Sequence, residues 1–483
     1  MQLADTPADG TSISRRGWAL ALTSVAFFMT ALDALVVVTA LPAIHAAIGG
    51  SVGTLEWTIN AYTLPFAAGI ITAAALGDRL GRRRMYVTGL VIFAASSAAC
   101  ALAPNADALI AARAVQGLGA ALVTPLSLTI LASVFPSERR ATIVGIWGGI
   151  GGLAVAAGPL VGGAVVQGLD WHWIFWINVP IGLAAAVLSG LRLPESRGPA
   201  RRLDIGGAIL VAAGAVAVAW GLVRTTDVGW ASTEVVASLA VGAALIAGFV
   251  GWESRASAPM LPLRLLRIRA FTAANATGFL SMAAITSAAF LMSQFFQSGL
   301  GYSPLATGLR FLPWTATPLV IAPIAGRLAD KVGSRPLMAA GMAVQAAGLG
   351  WVAAHISAHV SYPELALPLL IAGVGISMAI PTTPTAALGA VPPADLGTAS
   401  GVQSTLQRFG AVFGVAIVTA VFSASGHLGS APGVIAGVQP ALGAAAGLSL
   451  VGALTGLAVG RRHAVPVTDE RWAPAPASAG TRS

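Results

Sequence analysis

Charge is what this 483-residue chain has least of: only 9% of its residues are Asp, Glu, Lys or Arg. Ordinary soluble domains carry about 25%. So little charge cannot solvate a water-exposed surface, which excludes a soluble multidomain enzyme. It equally excludes a disordered chain, because disorder needs polar, charge-rich sequence. Cysteine is almost missing too. Cys100 stands alone in an apolar block, so neither a disulfide framework nor a thiolate zinc cluster is available. Lysine is reduced to Lys331, which is followed by Val332. A Walker A phosphate loop needs Gly-Lys-Ser/Thr, so no ATP-binding site of that kind exists on the chain. His355 and His359 are four apart but have no third ligand in a recognisable pattern. The expectation is therefore no enzyme, no metal and no cofactor.

What fills the chain is apolar: 56% of residues are hydrophobic and the mean hydropathy is +0.81. Fourteen apolar windows lie between residues 17 and 460, each near the roughly 20 residues that a bilayer-crossing helix needs. Helices are the only reading, since open sheets cannot face lipid with unpaired backbone groups. Arginine tests the count. Of the 27 basic residues, 23 fall in the termini and even-numbered loops, and only Arg224 falls in an odd-numbered loop. That is the positive-inside pattern, and one miscounted span would scramble it. It predicts a multi-pass protein of the cell inner (plasma) membrane with both termini cytoplasmic. The net charge of +9 is spread through these short loops and forms no stripe for phosphate recognition, so nucleic acid is not a partner. The lipid bilayer is.

The chain also repeats itself. Asp78-Arg79-Leu80-Gly81-Arg82-Arg83 follows span 2, and Asp330-Lys331-Val332-Gly333-Ser334-Arg335 follows span 10, 252 residues later. The expected architecture is all-α with 14 transmembrane helices: two six-helix bundles and two extra central helices. The expected divisions are a cytoplasmic tail at 1–16, an N-terminal bundle at 17–193, linkers flanking the inserted spans 7 and 8 at 194–269, a C-terminal bundle at 270–460, and a disordered tail at 461–483. Parallel six-helix repeats place a substrate site between the halves.

Of the 18 acidic residues, the reading places Asp33 alone inside a span. An ionisable group at that depth is a functional candidate. Helical rise puts Asp33 about 8 Å from the outer edge of a ~30 Å core, and Arg113 on the opposed fourth span about 9 Å from the same edge. The two are expected to pair, directly or through Gln116. Two further arginines, Arg310 and Arg408, remain in spans. Three arginines against one carboxylate make a positive interior, which favours neutral or anionic cargo.

Five stretches resemble the fourteen-helix drug:proton antiporter family of the major facilitator superfamily. They are Leu32-Asp33 with the apolar run to Leu41-Pro42, and Gly77-Asp78-Arg79-Leu80-Gly81-Arg82-Arg83. Arg113-Ala114-Val115-Gln116-Gly117-Leu118-Gly119 follows. Then come Gly145 with Gly158-Pro159-Leu160-Val161-Gly162-Gly163, and Trp171-His172-Trp173-Ile174-Phe175-Trp176-Ile177-Asn178-Val179-Pro180. The resemblance implies proton-coupled antiport of amphipathic drugs or antibiotics by alternating access. It implies proton coupling through Asp33 and Arg113. It implies a gating loop at Asp78, Arg79, Gly81, Arg82 and Arg83, with its second copy at Asp330 and Arg335. Gly145, Gly158, Pro159, Gly162 and Gly163 would form the antiporter motif. Asn60, Tyr62, Gln116, Gln407 and Arg408 are the cavity candidates. The partners are then a small molecule and protons. The competing readings are a symporter or facilitator importing a metabolite on the same fold, and an integral membrane enzyme.

Overall fold

The computed structural model describes residues 10–49, 51–198, 204–256, 259, 261–392 and 395–459. Most of both expected tails and residues 199–203 of the linker lie outside these. The described residues are helical throughout, with no β-strand among them. In order they form α1 (Gly10–Ile48), α2 (Val52–Leu80), α3 (Arg82–Ala101), α4 (Ala106–Val134) and α5 (Ser137–Gly168). A single turn, α6 (Trp173–Trp176), leads into α7 (Asn178–Arg192). Then come α8 (Ile205–Val228), α9 (Thr233–Glu253), the short α10 (Leu263–Leu266) and α11 (Arg269–Gln294), which ends in a π-helical turn at Phe295–Gly299. The rest are α12 (Pro304–Thr315), α13 (Thr317–Val332), α14 (Ser334–His355), α15 (Tyr362–Leu388), α16 (Leu396–Ser425) and α17 (Ala431–Leu457).

Local chemistry sets these limits. Side-chain oxygens of Ser51, Asn105, Ser232, Ser303 and Ser430 accept backbone N–H bonds at helix starts, meeting donors that the helix itself leaves orphaned. Ser361 and Glu364 form a reciprocal capping box at the start of α15.

Thirteen described helical stretches are long and apolar enough to cross a bilayer. The tenth apolar window departs from expectation: α12 and α13, of 12 and 16 residues, replace one continuous helix. Pro318 lacks the N–H that would bond the Trp314 carbonyl. The Thr317 hydroxyl takes that carbonyl instead, at 2.8 Å. The break is thus built from sequence.

The repeat is real in three dimensions. Gly81 (φ +115°) joins α2 to α3, and Gly333 (φ +86°) joins α13 to α14. Both turns need a left-handed backbone that side chains with a Cβ disfavour. Helices α1–α7 and α11–α17 form two bundles that meet along α2 against α16, α5 against α12 and α1 against α11. These contacts are related by the repeat, since the second span of each bundle touches the fifth of the other. Helices α8 and α9 pack on each other, and α8 docks against α2 and α16.

The apolar core is continuous at one end and divided at the other. Far from the Asp78 loop, one cluster joins Val36–Ile44, Phe175, Phe290–Phe296, Phe311 and Val415–Phe422 across both bundles. At the Asp78 end the clusters separate, one around Leu22, Tyr86 and Leu193 and another around Leu265, Phe271 and Val402. The bundles are splayed there.

Candidate functional site: a buried ion pair, a one-ended cavity and a seal

Asp33 on α1 and Arg113 on α4 are 3% and 1% exposed. Arg113 Nη1 donates to Asp33 Oδ2 at 2.6 Å. The same nitrogen donates to Gln116 Oε1 at 2.6 Å, and Gln116 Nε2 returns to Asp33 Oδ1 at 3.0 Å. The pair therefore closes both directly and through Gln116. Two residues without an assigned role complete it: Asn178 Nδ2 donates to Asp33 Oδ1 at 2.8 Å, and Ser97 Oγ accepts from both Gln116 and Asn178. Arg113 Nε donates to the Thr58 carbonyl, and the Tyr62 ring lies 4.2 Å from the guanidinium. A buried ion pair is tolerated only with such additional hydrogen bonds. Asn178 stands at the start of α7, where its stretch was legible only as a motif of tryptophans. Nothing in the spacing ties it to Asp33.

Between the bundles lies a cavity of about 1280 Å³. Its walls are mostly apolar, including Phe66, Met282, Phe311 and Trp314, and its mouth reaches Asp78 and Asp204. It opens at the end where the core is divided. Of the five cavity candidates, Gln407 and Arg408 line it; Asn60, Tyr62 and Gln116 do not. Tyr62 and Gln116 serve the ion pair, and Asn60 turns to Glu56. Arg408 sits over the Phe66 ring at 4.2 Å. No acidic side chain forms a salt bridge with it among the described residues. Arg310 is elsewhere, between the Tyr302 and Tyr362 rings at 3.9 and 5.2 Å. Of the three span arginines, Arg408 alone adds positive character to the lining.

A second correction concerns the acids. Glu56, near the start of α2, is 0% exposed, so Asp33 is not the sole carboxylate within the spans. Glu56 stands five residues past the Ser51 cap, within the second apolar window.

In the loop expected to gate, Arg82 donates to Asp78 Oδ1 through Nε at 2.9 Å and Nη2 at 2.7 Å. The loop is tied to its own bundle: Arg82 N donates to Ser196 O, and Gly198 N to Asp78 O. Glu195, missed in the sequence, accepts the backbone N–H of Arg83 and Arg84 at 3.0 and 3.2 Å. Gly81 leaves room for that carboxylate. Arg79 is exposed and Arg335 half-buried. The side chain of Asp330 lies outside the described residues, as does the packing at Gly145. Nearby, Arg264 grips Asp395 with two bonds of 2.7 and 2.6 Å, and these bonds hold the Asp395 carboxyl below its usual range.

The glycines of α5 divide between two neighbours. Gly158 and Gly162 receive Leu35 and Val36 of α1, whereas Gly163 receives the Pro304–Leu305 backbone of α12. Gly308 on α12 reciprocates against the Pro159–Leu160 backbone. Polar bonds reinforce this end: Ser293 Oγ to Val38 O at 2.9 Å, Gln297 Nε2 to Thr39 O at 2.8 Å, and Leu305 N to Gln167 Oε1 at 3.2 Å. The bundles are sealed opposite the cavity mouth.

Two splayed bundles around a one-ended apolar cavity define a membrane transporter, and comparison with known proteins agrees. The Major Facilitator Superfamily model matches residues 23–274 and 274–481, and the chain belongs to that family. It is 34% identical over 407 residues to the multidrug resistance protein Stp of Mycobacterium tuberculosis, covering 84% of this chain and 75% of that one. It is 32% identical to the tetracenomycin C resistance and export protein of Streptomyces glaucescens, covering 86% and 77%. The methylenomycin A resistance protein of Streptomyces coelicolor is 32% identical, covering 87% and 88%. Among solved structures, a peptide transporter POT aligns with a TM-score of 0.67 at 18% identity, over 92% of this chain and 94% of that one. A D-xylose-proton symporter aligns at 0.63 and 15%, over 91% and 97%. At such identities the likeness is one of fold. The chain is a multi-span membrane protein of a transporter family, acting on a small molecule within the bilayer.

Proposed function

We propose that this chain is a proton-coupled exporter of amphipathic small molecules, in the manner that the names of its resistance and export relatives suggest. In this reading α12 and α13 together complete a fourteenth crossing, and the arginine distribution puts the Asp78 end and both termini in the cytoplasm. The cavity then faces inward, ready to load cargo from the cytoplasm or inner leaflet. The cell membrane is its location, and the proton gradient replaces any cofactor.

The observation that carries the reading is the Asp33–Arg113 pair at 2.6 Å, buried in one bundle beside the cavity. Closed, the pair holds Asp33 as a carboxylate. A proton arriving from outside neutralises Asp33, frees Arg113 and removes the attraction holding α1 to α4. The bundle then favours another packing, and the proton leaves on the cytoplasmic side before the pair reforms. Each charge carried down 100 mV supplies about 2.3 kcal/mol, roughly fiftyfold in concentration. The gating loop secures the inner face in the opposite state, and the α5–α12 seal secures the outer face in this one. Arg408 in an apolar wall supports neutral and anionic cargo over multivalent cations.

The test compares wild type and Asp33→Asn, at equal membrane levels, in a bacterial host stripped of its own efflux pumps. Growth is scored against cationic, neutral and anionic antibiotics and dyes. Protection by wild type that is lost in the variant is the expected result. Undiminished protection by Asp33→Asn that still collapses with the proton gradient defeats the assignment of Asp33.

A further inference from the structure

Glu56 takes no part in the mechanism above, yet its surroundings are unusual. It lies about 6 Å along α2 from the helix start, on the sealed side, where α2 meets α16. Its Oε1 accepts from Asn60 Nδ2 at 3.0 Å. Its Oε2 has no hydrogen-bond partner among the described residues, and neither do Asn60 Oδ1 and Thr419 Oγ1. Thr419, on α16, is the group of the other bundle that bears on this carboxyl.

Among the described residues no cation pairs with it. On α4, Arg113 is bound to Asp33, Gln116 and Thr58 O. On α8, Arg224 holds Glu234 of α9 at 2.8 Å. On α16, Arg408 is eleven residues from Thr419, about 16 Å along the helix, and covers Phe66. His45, in the last turn of α1, and Asp107, in the first turn of α4, are further titratable groups at this end, and Asn60 and Thr419 are the side chains that bear on the Glu56 carboxyl. An ionised carboxylate buried without a cation is costly by several kcal/mol. The neutral acid has no such cost, and the Thr419 hydroxyl, both donor and acceptor, can serve either form of it.

We propose that Glu56 is a second proton-binding site, which takes a proton from the outer medium as α2 closes on α16 and returns it when they part. Its ligand is the proton alone, and its effect is to make closure of the outer gate depend on external pH. This rests on the inward-facing reading of the cavity but not on antiport. The proton bound here goes back to the side it came from, so Glu56 regulates the gate and Asp33 carries the coupling. Closure that binds one proton shifts the open-to-closed ratio by up to about tenfold per pH unit between the titrations of the two states.

The test reads the gate and not the cargo. Full-length chain carrying Cys100→Ala and Ala289→Cys, whose position lines the cavity behind the seal, is labelled in intact cells with a membrane-impermeant maleimide. Labelling, taken relative to that of a free thiol at the same pH because only the thiolate adds to a maleimide, is expected to slow several-fold as external pH falls. Glu56→Gln, a permanent mimic of the neutral acid, is expected to label slowly at every pH, and Glu56→Asp to move the midpoint. An Asp33→Asn background is expected to keep the pH dependence. Loss of export in Asp33→Asn with the gate response intact, or the reverse, separates failure of one reading from failure of the other. A flat profile in the parent, or an unchanged profile in Glu56→Gln, overturns the proposal. If Glu56→Gln does not fold, an unchanged midpoint in Glu56→Asp overturns it equally.

Discussion

Gly163 and Gly308 stand on opposite bundles, and each leaves the space that the other's helix fills. A Cβ on Gly163 would lie 2.9 Å from Leu305 Cα, and a Cβ on Gly308 would lie 2.9 Å from Leu160 Cα. Both would lie closer still to a proline carbonyl, Pro304 and Pro159 respectively. Backbone meets backbone here, so no side chain is free to yield. Small residues allow this approach where lipid supplies no hydrophobic drive between helices.

Gly163→Val and Gly308→Val are each expected to hold the sealed end apart and cut export by more than tenfold. Labelling of Ala289→Cys from outside should rise in both. Gly158→Ala presses on Leu35 of its own bundle, and is expected to lower stability without opening the seal. Export assays and external labelling on the same membranes separate the two outcomes.

Arg113→Ala leaves Asp33 buried without its cation, a change that costs about 3–5 kcal/mol in comparable buried pairs. The variant is expected to melt well below wild type in detergent. The double variant Asp33→Asn with Arg113→Gln removes both charges, so much of the thermal stability should return while coupling to the proton gradient does not. Asn178→Leu removes one of the bonds to Asp33 and is expected to change the pH dependence of export more than its maximum rate. Melting curves and export at several pH values check these points.

In the proposed exporter, Arg408 is the charged group of the cavity wall that selects cargo by charge. Arg408→Gln should lower protection against anionic compounds relative to neutral ones, by roughly tenfold for a lost partly desolvated charge contact. Arg408→Glu should extend protection towards cations. Resistance profiles normalised to one neutral compound check the ratio. Equal effects on all charges would assign Arg408 to packing against Phe66.

Glu195 caps the start of α3 from the segment after α7. Glu195→Ala leaves two backbone N–H groups without this acceptor, a loss of about 1 kcal/mol for a capping interaction. A small drop in melting temperature is expected, with faster proteolysis between α7 and α8. Glu195→Gln retains an acceptor and should recover most of the difference.

The crossing segments were legible in sequence because lipid leaves little choice: an apolar run of about 20 residues must satisfy its backbone internally. The helix starts follow from Ser51, Asn105, Ser232, Ser303 and Ser430 for an equally local reason. The matching Asp-x-x-Gly stretches at Asp78 and Asp330 make the duplication legible in the sequence. The effect of Pro318 depends on where the helix ladder stands, so the sequence alone shows one span where the structure has the break between α12 and α13.

Depth along a helix follows from counting, which is why Asp33 and Arg113 could be set opposite each other from sequence alone. Direction around the helix does not, because hydropathy in a lipid-solvated bundle is nearly uniform and carries little facing information. Only the tertiary structure therefore brought Asn178 and Ser97 to Asp33, turned Tyr62 and Gln116 away from the cavity, and left Arg408 in it. It alone divided the α5 glycines between α1 and α12. It also set Glu56 against Thr419, since that meeting depends on how two distant bundles close on each other.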